Sequence, residues 1–134
     1  MPNTDLTPQI RAAIAAHGGW KLKLKTAINT GQINVSPDEV ACHTCCEFGQ
    51  WLEGSQIHPL VKERKPYQVI HRLHREFHQS AGEVMRLVAV GDKRGAVSVL
   101  TGEYAEKTEK LSRGLIKWMR EQPKRAPAET GYPR

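Results

Sequence analysis

Apolar residues along this chain recur at steps of three and four, never at the step of two that marks a half-buried strand. The strongest run is Tyr67-Gln-Val-Ile-His-Arg-Leu-His-Arg-Glu-Phe-His78. At about 100° per residue its stripe passes through Ile70, Leu73, Phe77, Ala81 and Val84, which predicts a helix from Pro66 to Val90. His74 lies closest to that stripe, His78 further out and His71 at its edge. An imidazole facing a helical core needs a partner for each ring nitrogen. Histidines at i and i+4 lie one turn apart on one face, so His74 and His78 can reach a single metal ion. By itself the pair is a weak motif, which solvated or core-hydrogen-bonded histidines on a basic helix explain better.

The same period appears in three other segments. Thr7-Pro8 starts a helix, with a cap followed by proline at the first helical position. Its stripe runs through Ile10, Ile14, His17, Trp20 or Lys21, Leu24 and Ile28, and Thr30-Gly31 ends it. Gly18-Gly19 costs about 1 kcal/mol per glycine relative to alanine, which predicts a close backbone approach or a local distortion beside His17. Ser36-Pro37-Asp38-Glu39 is a second start signal, and one helix is expected from there through Leu52, stopping near Gly54. Ala41, Cys45, Phe48 and Leu52 share one face of it, and Cys42, Cys46 and Gly49 another, so periodicity mildly favours burying Cys45. A short segment from Leu60 to Arg64 precedes the histidine-rich helix. After a turn at Gly91-Asp92, a last helix is expected from Lys93 to Glu121, with Val97, Leu100, Tyr104, Thr108, Leu111, Leu115, Trp118 and Met119 as its stripe. Four long amphipathic helices on short turns predict an all-α, antiparallel four-helix bundle with one extra short helix at most. The expected organisation is a flexible arm over 1–6, a helical bundle over 7–121 and a disordered tail over 122–134.

Composition adds boundaries. The chain has 134 residues, enough for one domain with a real core. No run approaches the roughly 18 apolar residues of a membrane span. The first residues have neither a basic nor an apolar signal region, so a cytoplasmic location is expected. There Cys42, Cys45 and Cys46 should stay reduced, and three cysteines within five residues make no disulfide framework. The net charge of +6 permits contact with nucleic acid. Its Lys and Arg are interspersed with Glu along helical faces, however, and no nucleic-acid-binding pattern appears, so solvated faces explain the charge better.

In a bundle, His17 on the first helix, a cysteine on the second and the His74/His78 pair on the third can converge. Three imidazoles and one thiolate make a complete tetrahedral set for zinc, of net charge +1. Four protein ligands leave no open position for water, which argues against metal-assisted hydrolysis and against an enzyme.

His17-Gly-Gly-Trp20-Lys21, Cys46-Glu-Phe-Gly49-Gln-Trp51-Leu52, and His74-x-x-x-His78 with Phe77 before the last histidine resemble the chemoreceptor zinc-binding domain family. The resemblance covers about residues 7–120, with the three blocks in order. It implies Cys46 as the cysteine ligand, three residues before the glycine of a C-x-[LF]-G-x-W segment. The implied ligand set is His17, Cys46, His74 and His78, binding one Zn2+ per chain. It also implies a bacterial regulatory helical bundle, commonly homodimeric, that is attached to chemotaxis receptors or diguanylate cyclases. Zinc occupancy, or oxidation of the ligand cysteine, modulates their output. No output domain is expected within this chain, so a separate signalling partner would carry the output. Cys42, Cys45, His43 and His71 leave other ligand sets open. The rival reading is a thiol-redox protein built on the Cys42-x-x-Cys45-Cys46 cluster, which lacks the βαβ setting that gives such a motif force. A di-iron bundle enzyme would need Glu-x-x-His, which is absent.

Overall fold

A computed structural model describes residues 5–123. The helices are α1 (Thr7–Gly18), α2 (Trp20–Thr30), α3 (Pro37–Ala41), α4 (Glu47–Glu53), α5 (Pro59–Lys62), α6 (Lys65–Ala89), α7 (Lys93–Thr101) and α8 (Glu103–Arg120). No strand occurs among the described residues. Most of the proposed arm (1–4) and tail (124–134) lies outside them. Leu6 and Gln122, at the inner edges of those segments, are joined: the Leu6 N–H donates to Gln122 Oε1 at 3.0 Å.

The chain forms an all-α bundle of four rods, three of them broken. The first rod is α1 and α2, interrupted only at Gly19. The second is the short α3 and α4, the third is α6, and the fourth is α7 and α8. Helix α1 packs on α8 and α2 on α7, so the first and last rods run antiparallel. Helix α6 sits at the centre, against α2, α3, α5, α7 and α8. Its 25 residues extend about 37 Å at 1.5 Å per residue. The expected stripe is its buried face: Ile70, Leu73, Phe77, Ala81 and Val84 are all buried, as are His74 and His78.

Three expectations need correction. The helix expected over Ser36–Leu52 is two helices, because residues 42–46 leave helical geometry. Ser36 caps the first, accepting from the Glu39 N–H at 3.1 Å. Cys46 caps the second, its Sγ accepting from the Gly49 N–H at 3.3 Å. Next, Gly18 and Gly19 serve no close backbone approach: a Cβ on Gly18 would meet nothing within 4 Å and one on Gly19 nothing nearer than 3.7 Å. The break at Gly19 is the distortion. Finally, Val97 is 41% exposed while Ala96 is buried. The buried stripe passes through Ala96, Leu100, Tyr104, Leu111, Leu115 and Trp118 and stays in step across the break at Gly102.

The short second rod is held close by Gly82 on α6. A Cβ there would fall 2.5 Å from Ala41 Cβ and 3.0 Å from its Cα. Gly82→Ala should therefore destabilise the fold by about 1–3 kcal/mol despite its better helix propensity. Ala41→Gly in the same chain should recover part of that loss. Denaturant titration of the two variants measures both.

Candidate metal centre

Four side chains from three rods meet beside the middle of α6. His17 stands in the last turn of α1, Cys46 at the start of α4, and His74 and His78 one turn apart on α6. Their donor atoms all lie within 4.8 Å of one another. His74 Nε2 is 3.1 Å from His17 Nε2 and 3.4 Å from Cys46 Sγ, and His17 Nε2 is 3.9 Å from that sulfur. Zinc–nitrogen bonds of about 2.05 Å and zinc–sulfur bonds of about 2.3 Å give tetrahedral edges of roughly 3.3 Å for N···N and 3.6 Å for N···S. The spacing suits a zinc ion.

The outward-facing nitrogens fix the tautomers. His17 Nδ1 donates to the Ala13 carbonyl at 2.8 Å, and His78 Nδ1 donates to the Val40 carbonyl at 2.9 Å. Each leaves a bare Nε2 lone pair toward the centre, the arrangement by which backbone carbonyls orient metal-binding histidines. His78 Nε2 is buried and has no hydrogen-bond partner. A buried lone pair with no donor is costly unless a cation meets it. That orphaned atom is the feature an ordinary core histidine does not explain.

Aromatic rings wall the site. Phe48 lies 5.7 Å from the His17 ring and 5.1 Å from His74, and Phe77 lies 5.1 Å from His17. This dry setting, with the other imidazoles adding to it, holds His74 down to about 2. Burial first, then the His17 and His43 rings, lowers His78 to about 4 against the Val40 hydrogen bond. Burial also lowers His17, against the opposing bond to Ala13. All three imidazoles are neutral at pH 7, as metal ligation requires. Burial pushes the Cys46 thiol up, while N–H groups at the start of α4 pull it down. A dication would supply the charge that the thiolate lacks.

These shifts have a pH consequence for metal-free protein. The folded histidines stay neutral below the unfolded value of 6.5, where the unfolded chain takes up protons. Stability is thus full above about pH 6.5 and falls as pH drops toward 4. Thermal melts of chelator-treated protein should show the midpoint declining from pH 7 to pH 5. A flat profile would contradict the buried neutral state.

The loop 42–46 that delivers Cys46 differs from expectation in its chemistry as well as its shape. Cys42 and Cys45 form a disulfide, leaving Cys46 as the free cysteine. The expected reduced state of all three does not hold, because leaving the helix brings the first two together. Cys45, which periodicity would bury, is exposed, while Cys46 is half-buried at the site. The loop lies tight on α4: a Cβ on Gly49 would fall 1.7 Å from the His43 carbonyl oxygen. His71 and His43 stand outside the group. His71 pairs with Glu53, and His58 caps α5, its Nδ1 accepting from the Leu60 N–H at 3.1 Å. The carbonyls of Ala13 and Val40 were invisible to sequence reasoning, since any residue carries one.

The family model of the chemoreceptor zinc-binding domain matches residues 17–85, beginning on His17 and spanning the other three donors. The chain belongs to this zinc-binding family. Curated proteins and solved structures returned no match. No helix among the described residues is long and apolar enough to cross a membrane.

Proposed function

We propose that this chain is a regulatory module in which His17, Cys46, His74 and His78 ligate one zinc ion, and whose zinc occupancy is read by a separate signalling partner. The unpartnered, buried His78 Nε2 carries the reading. Four protein donors close the coordination sphere, which suits a regulator rather than an enzyme. Membership of a chemoreceptor zinc-binding family supports a signalling partner of the chemotaxis or cyclic-di-GMP type and a homodimer.

Magnitudes separate a sensor from a zinc-dependent fold. Structural zinc in small fingers contributes about 10–16 kcal/mol, as much as a whole domain's stability of about 5–15 kcal/mol. This bundle has an apolar core spread over all four rods and should hold without metal. Zinc removal then frees Cys46 and the loop that carries it, a local change a partner can read. Hydrogen exchange with and without chelator tests this. Faster exchange in residues 42–54 with α6 and α8 still protected is expected. Global unfolding, or no difference at all, would overturn the sensor reading.

The Cys42–Cys45 disulfide favours a second input. Oxidation of Cys46 would remove the thiolate and release zinc, so an oxidant could act through the same site. Peroxide treatment of the loaded protein should release zinc in step with oxidation of Cys46, read by mass spectrometry; zinc retained, or released while Cys46 remains a thiol, would contradict this input.

A further inference from the structure

Just outside the buried centre, three more metal-binding side chains gather. His71 Nε2 pairs with the Glu53 carboxylate, bridging α6 and the end of α4. The His43 ring lies 5.7 Å from the His71 ring, against 4.6, 4.9 and 5.4 Å among the three imidazoles of the buried centre. His43 is half-buried, His71 is half-buried and Glu53 is exposed. We propose that His43, His71 and Glu53 form a second, outer site for a divalent transition-metal ion, chosen by its two imidazoles over calcium or magnesium.

The chemistry is a substitution. A cation takes the place of the proton between His71 Nε2 and Glu53, the proton passing to solvent, and the His43 ring, 5.7 Å from that of His71, moves in to complete the set. The set is two imidazoles and a carboxylate, which leaves a position for water, so the outer ion exchanges readily whereas the inner one is enclosed. Arg75 lies near enough to His43 to oppose a cation there, and Glu53 offsets it. The backbone gives the site a purpose. His43 belongs to the loop that carries Cys46, and His71 is one turn before His74 on α6. An ion joining His43 to His71 therefore clamps that loop onto α6 and holds Cys46 against the inner centre.

Cobalt(II) titration of metal-free protein separates the two sites, because only the inner one contains sulfur. The protein is kept anaerobic and without reductant, so that Cys42 and Cys45 stay paired and Cys46 is the free thiol. The expected result is about two equivalents: the first with a thiolate-to-cobalt charge-transfer band, the second without one. In His43→Ala/His71→Ala the second equivalent should disappear and the first, with its band, remain. A single equivalent in the unaltered chain, or a second equivalent that survives in the double variant, would overturn the outer site. Loss of the charge-transfer band from the unaltered chain would instead count against the inner centre.

Discussion

His74→Leu should weaken zinc binding by about a hundredfold or more and, in the same protein, raise the melting temperature of the metal-free form. Structural zinc sites contribute about 10–16 kcal/mol over four ligands, so losing one costs on the order of 3 kcal/mol, at least about a hundredfold in affinity. The stability gain has a separate cause. His74 is fully buried, its Nδ1 has no hydrogen-bond partner, and its Nε2 faces two other metal donors. A buried polar atom left unpaired costs about 1–3 kcal/mol, and a leucine of similar volume removes that cost. Melts under chelator should rise by several degrees, on the order of 1–2 kcal/mol. The opposite signs of the two effects are the mark of a residue kept for metal at the expense of the fold. A variant that melts lower without metal would mean that His74 is an ordinary core residue.

Gly49→Ala should lose zinc almost as completely, although Gly49 bears no donor side chain. The new Cβ would lie 1.7 Å from the His43 oxygen and 2.8 Å from its carbonyl carbon. Both are backbone atoms, so the loop itself must move. With it goes Cys46, whose Sγ takes its place by accepting the Gly49 N–H. A fall in zinc affinity of about a hundredfold or more follows, equivalent to losing one ligand. Gly18→Ala is the control: its Cβ meets nothing within 4 Å, so zinc binding should persist and helix stability rise by up to about 1 kcal/mol. Competition with a chromophoric chelator reads both variants. Equal zinc affinity in Gly49→Ala and the unaltered chain would contradict the tight fit of the loop.

How far the sequence reached depended on whether helical phase was kept. Along α6 it is unbroken for 25 residues, and the stripe from Ile70 to Val84 proved to be the central buried face. His17 was legible for the same reason, falling in step with Ile10 and Leu24. Phase failed where the backbone left the helix. Start signals are read from Ser, Thr, Asp and Asn, and the second of the two short helices is capped by a cysteine sulfur, which no such rule anticipates. Periodicity carried through residues 42–46 therefore turned Cys45 inward, and only resemblance pointed to Cys46. The Cys42–Cys45 pairing was set aside on the expected reducing compartment and the odd, clustered cysteine count, and only the rival thiol-redox reading kept those two cysteines together. In the last rod the buried stripe keeps its step across Gly102, and only its first position was misassigned, Val97 standing in for the smaller Ala96. Leu6 and Gln122, placed by composition in an arm and a tail, meet through a hydrogen bond between segments 116 residues apart in sequence, beyond any local pattern.

The central claim is that His17, Cys46, His74 and His78 bind one zinc ion. Metal content by mass spectrometry of purified protein tests it most directly, with Cys46→Ala, His74→Ala and Cys45→Ala prepared alongside. About one zinc per chain is expected, lost in Cys46→Ala and His74→Ala and kept in Cys45→Ala. Protein that carries and takes up no zinc, or that loses it in Cys45→Ala while keeping it in Cys46→Ala, would contradict the account.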